Sequence, residues 1–377
     1  MKTIREINLK NKKVIVRVDF NVPIESGIIE DDNRIRQSLK TINYLIENNA
    51  KIILLSHLGK VKTEEDKIVN SLKIVYERLK QLANTNVYFS NETRGLTLEE
   101  KINSLKEKEI LLVENTRFED LNGNLESGCD EELSKYWASL GDIFVLDAFG
   151  SAHRNHASTY GIGKYLPSFI GFLIEEELNV LEEVLNNKDK TVILGGAKVE
   201  DKIGVIKKLV NNTNKIIIGG RMCFTFLKAL GYDVKNNFVD EEKLEEIKLI
   251  LKSYKDKIIL PIDFISNKKV VELGDINEEC FDIGPKTIDL IKKELLNSSI
   301  VLWNGPLGKF EEEIYEKGTK SILNFLNEKN IKTIIAGGDT GNAAHKYNLD
   351  FYYISTGGGA SLEYLSGTHF KTLDNMK

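Results

Sequence analysis

Two lysines follow a pair of glycines in residues 192–209, VILGGAKVEDKIGVIKKL. The apolar run before Gly195 and Gly196 predicts a buried strand, and a glycine turn lets backbone N–H groups approach an anion closely. The amphipathic pattern after the turn predicts a helix, which adds the positive end of its dipole. Lys198 would lie at the turn and Lys202 one helical turn later on the same face. The segment suits a phosphate, although an ordinary strand, turn and helix with two solvated lysines has the same pattern.

Three further turns of this kind follow in the second half of the chain. Apolar, β-branched runs end in glycine in IIIGGRM (residues 216–222), IIAGGDT (334–340) and ISTGGGASL (354–362). Open parallel α/β sheets bind their ligands at the carboxyl ends of the strands. One such turn is commonplace, whereas four in one half of a chain favour a ligand site there.

The first half carries charged and polar side chains at its predicted strand ends instead. They are Arg17, Asp19 and Asn21 in RVDFNVP, Arg34 in DDNRIR, His57 and Lys60 in SHLGK, Arg117 in ENTRFED, and His153, Arg154 and His156 in AFGSAHRNHAS. An arginine at a strand end binds a phosphate or carboxylate with two parallel hydrogen bonds, and histidine is a smaller donor. Together these residues could form a basic patch for a small anion that carries two or three charges.

Each of these residues, taken singly, also has a structural explanation. Arg34 could pair with one of the two aspartates that precede it, Asp31 or Asp32, and Arg117 could likewise pair with a neighbouring glutamate. The spacing His153-x-x-His156 could suggest a metal pair. Carboxylate or cysteine partners at ligand spacing are missing from the sequence around them, so we expect no metal there.

The composition is that of an ordinary globular enzyme. The chain has 377 residues, of which 41% are hydrophobic, and this length predicts two domains. A net charge of −5 leaves no basic surplus for nucleic-acid binding, so an anion site must be locally basic. The N-terminus shows no apolar signal region, and no run approaches the roughly 20 apolar residues that span a bilayer, which predicts a cytoplasmic protein. Cys129, Cys223 and Cys280 fit neither a disulfide framework nor a metal site, and we expect them to be reduced.

Apolar runs alternate with helix-length segments along the whole chain. The runs lie at residues 14–20, 52–56, 87–89, 110–113 and 143–146 of the first half, and at 192–194, 216–218, 258–262, 300–303, 334–336 and 352–354 of the second. The alternation predicts an α/β fold of two doubly wound parallel-sheet, Rossmann-like domains. Residues 173–185, LIEEELNVLEEVL, have helical spacing and suit a connecting helix and hinge, or equally a plain surface helix of one domain.

Put together, these segments resemble the phosphoglycerate kinase family from end to end. RVDFNVP, NRIR, SHLG, ENTRFED, DAFGSAHRNHAS, LGGAKVEDKIGVI, DIGPKT, LWNGPLGKFE, GGDT and STGGGASLE occur in that family's order. The resemblance implies reversible phosphoryl transfer, in glycolysis or gluconeogenesis, from 1,3-bisphosphoglycerate to ADP or from ATP to 3-phosphoglycerate. It implies an N-terminal domain (residues 1–170) that binds the phosphoglycerate and a C-terminal domain (171–364) that binds the Mg-nucleotide. A helical hinge would join them, and the tail (365–377) would pack back on the first domain. We expect a monomer with small-molecule substrates and no nucleic-acid or membrane partner.

The same resemblance implies roles for individual residues. The substrate positions are Asp19, Phe20, Asn21, Arg34, His57, Leu58, Gly59, Lys60, Arg117 and Arg154. The nucleotide positions are Gly196, Lys198, Lys202, Gly220, Asn304, Glu311, Gly337, Gly338, Asp339 and Thr340. The catalytic positions are Arg34, Lys198, Gly338 and Gly358, and Asp339 would hold Mg²⁺. Since the acceptor carboxylate is already ionised at neutral pH, no general base is needed, and catalysis reduces to positioning and charge neutralisation after domain closure.

Several departures from the family pattern affect details of the site. Lys60 stands where SHLG is usually followed by arginine, and a lysine loses the planar fork. Arg221 replaces the third glycine of a usual GGG, where a large cation could crowd the base or reach a phosphate. Cys280 stands where a glycine commonly lines the adenine pocket, Ala336 replaces the first glycine of GGGDT, and the tail FKTLDNMK lacks the customary ending.

Other classes of protein fit the sequence less well. A nicotinamide dehydrogenase would need G-x-G-x-x-G after its first strand, and the nearest string, Gly161-Ile-Gly163, has Leu166 at the third position. The G-x-x-x-x-G-K-[ST] loop of a P-loop NTPase is absent. A non-catalytic nucleotide-binding relative of the same fold is the alternative. Such a relative would be expected to have lost Lys198 or its other catalytic positions, which are present.

Overall fold

The computed structural model describes residues 1–121 and 123–377, which form two compact units, Met1–Leu178 with His369–Lys377 and Asn179–Thr368. The strands of the first unit are β1 (Lys13–Val18), β2 (Ile24–Glu25), β3 (Ile28–Ile29), β4 (Lys51–Leu55), β5 (Val87–Ser90), β6 (Ile110–Val113), β7 (Ile143–Asp147) and β8 (Ser168–Ile170). Its helices are α1 (Asn33–Glu47), α2 (Glu64–Val69), α3 (Lys73–Leu82), α4 (Leu96–Ser104) and α5 (Glu131–Ser139).

A long helix, α6 (Phe172–Asn186), leads into the second unit. The strands of that unit are β9 (Lys190–Leu194), β10 (Lys215–Ile218), β11 (Ile258–Ile259), β12 (Asp263–Ser266), β13 (Lys269–Glu272), β14 (Asp282–Ile283), β15 (Ile300–Asn304), β16 (Thr333–Ala336) and β17 (Tyr353–Ser355). Its helices are α7 (Glu200–Leu209), α8 (Cys223–Ala229), α9 (Leu244–Tyr254), α10 (Pro285–Leu295), α11 (Lys317–Glu328), α12 (Gly338–Lys346) and α13 (Gly359–Leu365).

Each unit is built on a six-stranded sheet in which every strand pair is parallel. The order is β5-β6-β4-β1-β7-β8 in the first unit and β11-β10-β9-β15-β16-β17 in the second. The central strands β1, β9 and β15 are mostly apolar and buried along almost their whole length, as expected for a sheet with helices on both faces. In chain order the second sheet reads third, second, first, fourth, fifth, sixth strand, which is the Rossmann order. The predicted fold class is confirmed.

The chain passes from one unit to the other within α6, between Leu178 and Asn179. The first turns of this helix pack on the first unit, because the N–H of Phe172 donates to Thr41 Oγ1 at 2.9 Å and the Phe172 ring meets Tyr44 edge to face at 5.1 Å. The division therefore falls eight residues later than the sequence-based boundary after residue 170.

The C-terminal tail belongs to the first unit from His369 onward. The Thr372 hydroxyl donates to the backbone carbonyl of Ala152, and the Phe370 ring lies 6.0 Å from the ring of Phe149. Residues 365–368, which the sequence analysis assigned to the tail, group with the second unit, since α13 ends only at Leu365.

Three features of the fold were not predicted. The edge strand β8 has only three residues and lies directly after Pro167. The hairpin β2–β3 and the antiparallel sheet β13-β12-β14 are also short, and β13 is largely exposed, so they lack the apolar runs that mark the buried strands.

None of the described helices is long and apolar enough to cross a bilayer. The three cysteines are free thiols.

Candidate active site

The predicted substrate residues of the first unit follow the carboxyl ends of four adjacent strands. Asp19, Phe20 and Asn21 follow β1, His57 to Lys60 follow β4, Arg117 follows β6 and Arg154 follows β7, while Arg34 is the second residue of α1. Because β6, β4, β1 and β7 are neighbours in the sheet, parallel pairing places these loops along one edge. The fold thus brings residues that are distant in sequence to one side of this unit.

Arg34 is held by an ion pair with the residue that follows β1. Its Nη1 donates to Asp19 Oδ2 at 2.7 Å, and the Arg34 side chain keeps about a third of its surface exposed. Although burial alone would raise the pKa of Asp19, the charges of Arg34 and Arg17 hold it below the usual value. Of the two aspartates that precede Arg34 in the sequence, Asp32 pairs with Arg36 and Arg78.

Arg117 and Arg154 are also tied to neighbours at the same edge. Arg117 Nη1 donates to Asp120 Oδ2 at 2.7 Å, and this carboxylate also accepts from the backbone N–H of Ser127 at 2.8 Å. Arg154 Nε donates to His153 Nε2 at 3.1 Å. The guanidinium groups are therefore held in defined directions before a ligand arrives, which lowers the ordering cost of binding.

The three histidines of this patch are neutral at physiological pH. Burial, followed by the charge of Arg17, lowers the pKa of His57 to about 3. Burial and neighbouring arginines likewise lower the pKa of His156 to about 3, and burial and Arg154 lower that of His153 to about 4. The positive charge of the patch consequently comes from its arginines and Lys60.

Four further predicted substrate residues differ in whether their side chains or only their backbone atoms are accessible to a ligand. The side chains of Phe20 and Leu58 are buried in the apolar core, so only their backbone atoms remain for a ligand. Asn21 Oδ1 accepts the N–H of Gly59 at 2.9 Å and links the loops after β1 and β4. The Lys60 side chain is exposed.

Backbone packing between glycine turns dominates the corresponding edge of the second unit. Gly305 has a φ of +88°, and a Cβ there would lie 2.3 Å from the carbonyl oxygen of Gly195. The turns are also cross-linked by hydrogen bonds from Gly196 N to Pro306 O at 2.8 Å and from Gly220 N to Leu307 O at 3.1 Å. Only glycine allows the three loops after β9, β10 and β15 to approach one another so closely.

A cavity of about 410 Å³ lies beside these turns. Four of the predicted nucleotide residues line it: Gly196, Gly220, Glu311 and Asp339. Its apolar wall contains Phe224 and Phe264, whose rings lie 5.1 Å apart. A concave, mostly apolar pocket with a few polar groups is typical of small-molecule sites. The sequence analysis missed both phenylalanines, since Phe264 belongs to the small antiparallel sheet and Phe224 lies within α8.

The two lysines that opened the sequence analysis differ in their surroundings. Lys198 is exposed in the turn between β9 and α7, whereas Lys202 is buried in the first turns of α7. Burial lowers the pKa of Lys202, against the opposing charges of Asp201 and Asp339. The Asp339 carboxylate, in the first turn of α12, is exposed and makes no ion pair with the described residues. An accessible carboxylate next to a ligand cavity fits Mg²⁺, which prefers one or two carboxylates with phosphate oxygens and water.

The remaining predicted nucleotide residues lie at the ends of β15, β16 and β17. Asn304, at the end of β15, donates its side-chain N–H to the carbonyl of Ala336, before Gly337. The Thr340 hydroxyl is buried and accepts the N–H of Gly305 at 2.8 Å, so it braces a neighbouring loop, and its role as a nucleotide position stays a prediction. Gly338 and Gly358 begin or precede α12 and α13, and nothing lies within 4 Å of a Cβ built on either.

The two parallel sheets, one with charged side chains at its strand ends and one with glycine turns beside a cavity, define a two-unit α/β protein of the Rossmann-like class. The family model for phosphoglycerate kinase matches residues 4–368. The phosphoglycerate kinase of Enterococcus faecalis is 49% identical over 392 residues, which cover 100% of this chain and 98% of that protein. That of Fusobacterium nucleatum is 50% identical over 384 residues and 97% of this chain.

Solved structures give the same result. The phosphoglycerate kinase of Pyrococcus horikoshii superposes with a TM-score of 0.87 at 29% identity, covering 100% of this chain and 98% of its own. That of Coxiella burnetii gives 0.85 at 32% identity, with 99% and 98% covered. The chain belongs to the phosphoglycerate kinase family. It is a phosphotransferase with a carboxyl group as acceptor, and it uses ATP or ADP with Mg²⁺ as the family does.

Proposed function

We propose that the first unit binds 3-phosphoglycerate or 1,3-bisphosphoglycerate and the second binds ATP or ADP with Mg²⁺, with the residues named above in direct contact. The carrying observation is that arginine side chains from separate strand ends meet at one edge of the first sheet, already paired and directed. A multiply charged anion is the ligand that such a set recognises best.

On the phosphoglycerate side, Arg34 orients the reacting carboxylate, because it is the partly exposed end of the Asp19 ion pair. Arg117 and Arg154 bind the remaining anionic oxygens. Asn21 and His57, with the backbone of the loops after β1 and β4, complete the contacts, and the exposed Lys60 adds charge. None of these groups has to remove a proton, since the acceptor carboxylate is already ionised.

On the nucleotide side, the apolar cavity holds the base, and Glu311 accepts hydrogen bonds from the ribose. Lys198 follows the phosphoryl group during transfer and neutralises charge on its equatorial oxygens, together with the N–H groups of Gly338 and Gly358. Asp339 holds Mg²⁺, which supplies charge neutralisation at the phosphates. Lys202 gives a second positive charge beside this carboxylate.

Transfer between ligands on different units includes a closure step, which also keeps water away from the acyl phosphate. We further propose a monomer that acts in the cytoplasm on small-molecule substrates, as the family resemblance suggests. Support for the assignment of the two units is the different chemistry of their sheet edges: charged side chains in one, glycine turns in the other.

The proposed roles are tested by a coupled assay of ATP-dependent phosphorylation of 3-phosphoglycerate with Mg²⁺. Lys198→Ala should lower kcat by about 100-fold or more while the nucleotide Kd changes little, because its main contact forms in the transition state. Arg34→Ala should lower kcat and also raise the KM for 3-phosphoglycerate. Two matched controls, Lys252→Ala on α9 and Arg36→Ala on α1, remove exposed charges outside the site and should leave both constants unchanged.

Three outcomes would change the proposal. Equal losses of kcat and nucleotide affinity in Lys198→Ala would remove its transition-state role. A normal KM and kcat in Arg34→Ala would remove the proposed carboxylate contact. No turnover by the wild type, despite measured nucleotide binding, would point to the non-catalytic alternative.

A further inference from the structure

A buried chain of hydrogen bonds leads to His57 from a glutamate outside the predicted site. The Glu126 carboxylate accepts from both the hydroxyl and the backbone N–H of Ser158, the latter at 2.9 Å. Arg17 Nε donates to Ser158 Oγ at 2.8 Å, and Arg17 Nη2 lies 3.1 Å from His57 Nδ1. Glu126, Ser158 and Arg17 have no exposed surface, so none of them is placed to contact a ligand directly.

The chemistry of arginine determines which group donates and which accepts in this series of hydrogen bonds. A guanidinium group has donors only, so Nδ1 of His57 must accept the hydrogen bond and carries no proton. The imidazole proton is then on Nε2. Ser158 works in the same direction, because its hydroxyl accepts from Arg17 and donates to Glu126. The guanidinium is also fixed at Nη1, which donates to the backbone carbonyl of Val18.

The electrostatic surroundings keep the imidazole neutral. Burial and the charge of Arg17 lower the pKa of His57 to about 3, with Arg117 and Arg154 acting in the same direction and Asp19 opposing them. The carboxylate of Glu126 offsets the charge of Arg17, which is desolvated. Within the described residues, His57 Nε2 has no hydrogen-bond partner, so its N–H remains for a ligand.

We propose that Glu126, Ser158 and Arg17 are positioning residues that hold His57 as the neutral Nε2–H tautomer, an uncharged donor aimed at an oxygen of the phosphoglycerate. This inference rests on the proposed function in that it takes His57 to face that ligand. It separates two tasks within the basic patch. The arginines supply the charge, and His57 supplies one directed hydrogen bond whose strength does not change with pH near neutrality.

The first test needs no variant and no activity. In ¹⁵N-labelled wild-type protein without substrate, His57 should show an unprotonated Nδ1 and a protonated Nε2, unchanged between about pH 8 and about pH 5. The chain has only five histidines, so the spectrum of His57→Gln assigns the signals. A proton on Nδ1, or a titration near the ordinary value of about 6.5, would overturn the proposal. If the wild type shows the expected tautomer but no kinase turnover, the result counts against the proposed function and not against the tautomer of His57.

The second test uses Ser158, which lies between Glu126 and Arg17 in the series of hydrogen bonds. Ser158→Ala removes the partner of Arg17 Nε and should raise the KM for 3-phosphoglycerate about fivefold to tenfold, with the KM for ATP within about twofold. It should also alter the tautomer signals of His57. Ser151→Ala is the matched control, because Ser151 is equally buried but its hydroxyl donates to the backbone carbonyl of Ala148. Equal effects of the two variants, or no change of the His57 signals in Ser158→Ala, would refute the positioning role.

Replacing the histidine itself distinguishes the two ring nitrogens. The glutamine side chain in His57→Gln can present an N–H near the position of Nε2, whereas His57→Asn can reach only the position of Nδ1. We expect His57→Gln to retain an affinity for 3-phosphoglycerate about three to ten times higher than that of His57→Asn. The reverse order would show that the ligand depends on Nδ1 and would overturn the proposal.

Discussion

The two units have different chemistry at the carboxyl ends of the strands of their parallel sheets. In the first unit the groups are long side chains, and arginines are paired with partners such as Asp19 and Asp120 before any ligand binds. In the second unit the backbone itself forms the edge, through glycine turns in van der Waals contact. Two exposed charged groups at this edge, Lys198 and Asp339, make no such ion pair with the described residues.

This difference fits the ligands that we propose for the two units. A small anion with few atoms must be recognised by directed donors, and directed arginines need buried acidic partners. A nucleotide offers a chain of phosphates that backbone N–H groups can follow, provided that no Cβ stands in the way. Lys198, for which we propose movement with the transferring phosphoryl group, makes no ion pair with the described residues that would compete with this role.

The largest effect is expected from adding a single methyl group to a glycine turn of the second unit. In Gly305→Ala the new Cβ would lie 2.3 Å from the backbone oxygen of Gly195, at a φ of +88° that side chains rarely adopt. We expect the affinity for ADP to fall about 100-fold or more, with a lower Tm. Gly274→Ala is the control, because nothing lies within 4 Å of its Cβ and it should leave both properties unchanged. Near-normal ADP binding by Gly305→Ala, measured by calorimetry, would show that close backbone approach is dispensable.

The sequence was sufficient to predict the part of this contrast that depends on local pattern. Apolar runs placed the strands of both parallel sheets, except β8, within a few residues, and the glycine turn after β9 lies where the pattern put it. The edge strand β8 and the small antiparallel sheet were missed, because two to four residues without an apolar run give no periodic signal. The roles of individual site residues remain predictions that the experiments above address.

Side-chain pairing could not be predicted, because it depends on turn geometry even between close residues, such as Arg117 and Asp120, and otherwise on loops that are distant in sequence. Neighbours of Arg117 such as Glu114 looked like its partners, but Glu114 is buried and accepts from Ser71 Oγ at 2.7 Å. Glu126 gave no signal, since nothing in ENTRFEDLNGNLESG marks it as the acid behind a distant arginine. Only the folded chain brings the loop after β6 against the segment that contains Ser158.

Both units contain a buried aspartate that accepts a backbone N–H at the start of a helix, so the two units are alike in this respect. Asp147 accepts the N–H of Leu173 at the start of α6 at 2.9 Å, and Asp282 accepts that of Gly318 at the start of α11 at 2.7 Å. Burial raises the pKa of each carboxyl group to about 7. One oxygen of each has no hydrogen-bond partner within the described residues.

These raised values make stability depend on pH. Each folded-state pKa lies above the unfolded value, so the stabilisation is complete below about pH 4 and is lost as the pH rises through about 7. Asn cannot ionise, so we expect Asp282→Asn to have a higher Tm than the wild type between about pH 5 and about pH 8. The corresponding gain in free energy of unfolding should be up to a few kcal/mol. Asp147→Asn should behave in the same way in the first unit. Parallel Tm curves for wild type and variants across this range would contradict the prediction.

A smaller change should sharpen the side-chain mode of the first unit. Lys60→Arg restores the planar fork that the family usually has at this position, and the side chain is exposed, so it can be accommodated. We expect the KM for 3-phosphoglycerate to fall by about twofold to fivefold while the KM for ATP stays constant. Lys62→Arg, two residues along the same exposed loop, should have no effect. An unchanged KM in Lys60→Arg would mean that charge alone, without the fork, suffices at this position.

The smallest effect is expected where a side chain enters the backbone site of the second unit. Arg221 lines the cavity of the second unit, but its guanidinium carbon lies 4.6 Å from the centre of the Phe238 ring, which holds it by a cation–π contact. Because the cation is retained there, Arg221→Gly should change the KM for ATP by no more than about twofold. Phe238→Ala releases the guanidinium and should have the larger effect, which disappears in the double variant with Arg221→Gly. If Arg221→Gly alone changes the KM for ATP more than Phe238→Ala does, the arginine contacts the nucleotide directly, and the second unit then also uses a side chain where its relatives use glycine.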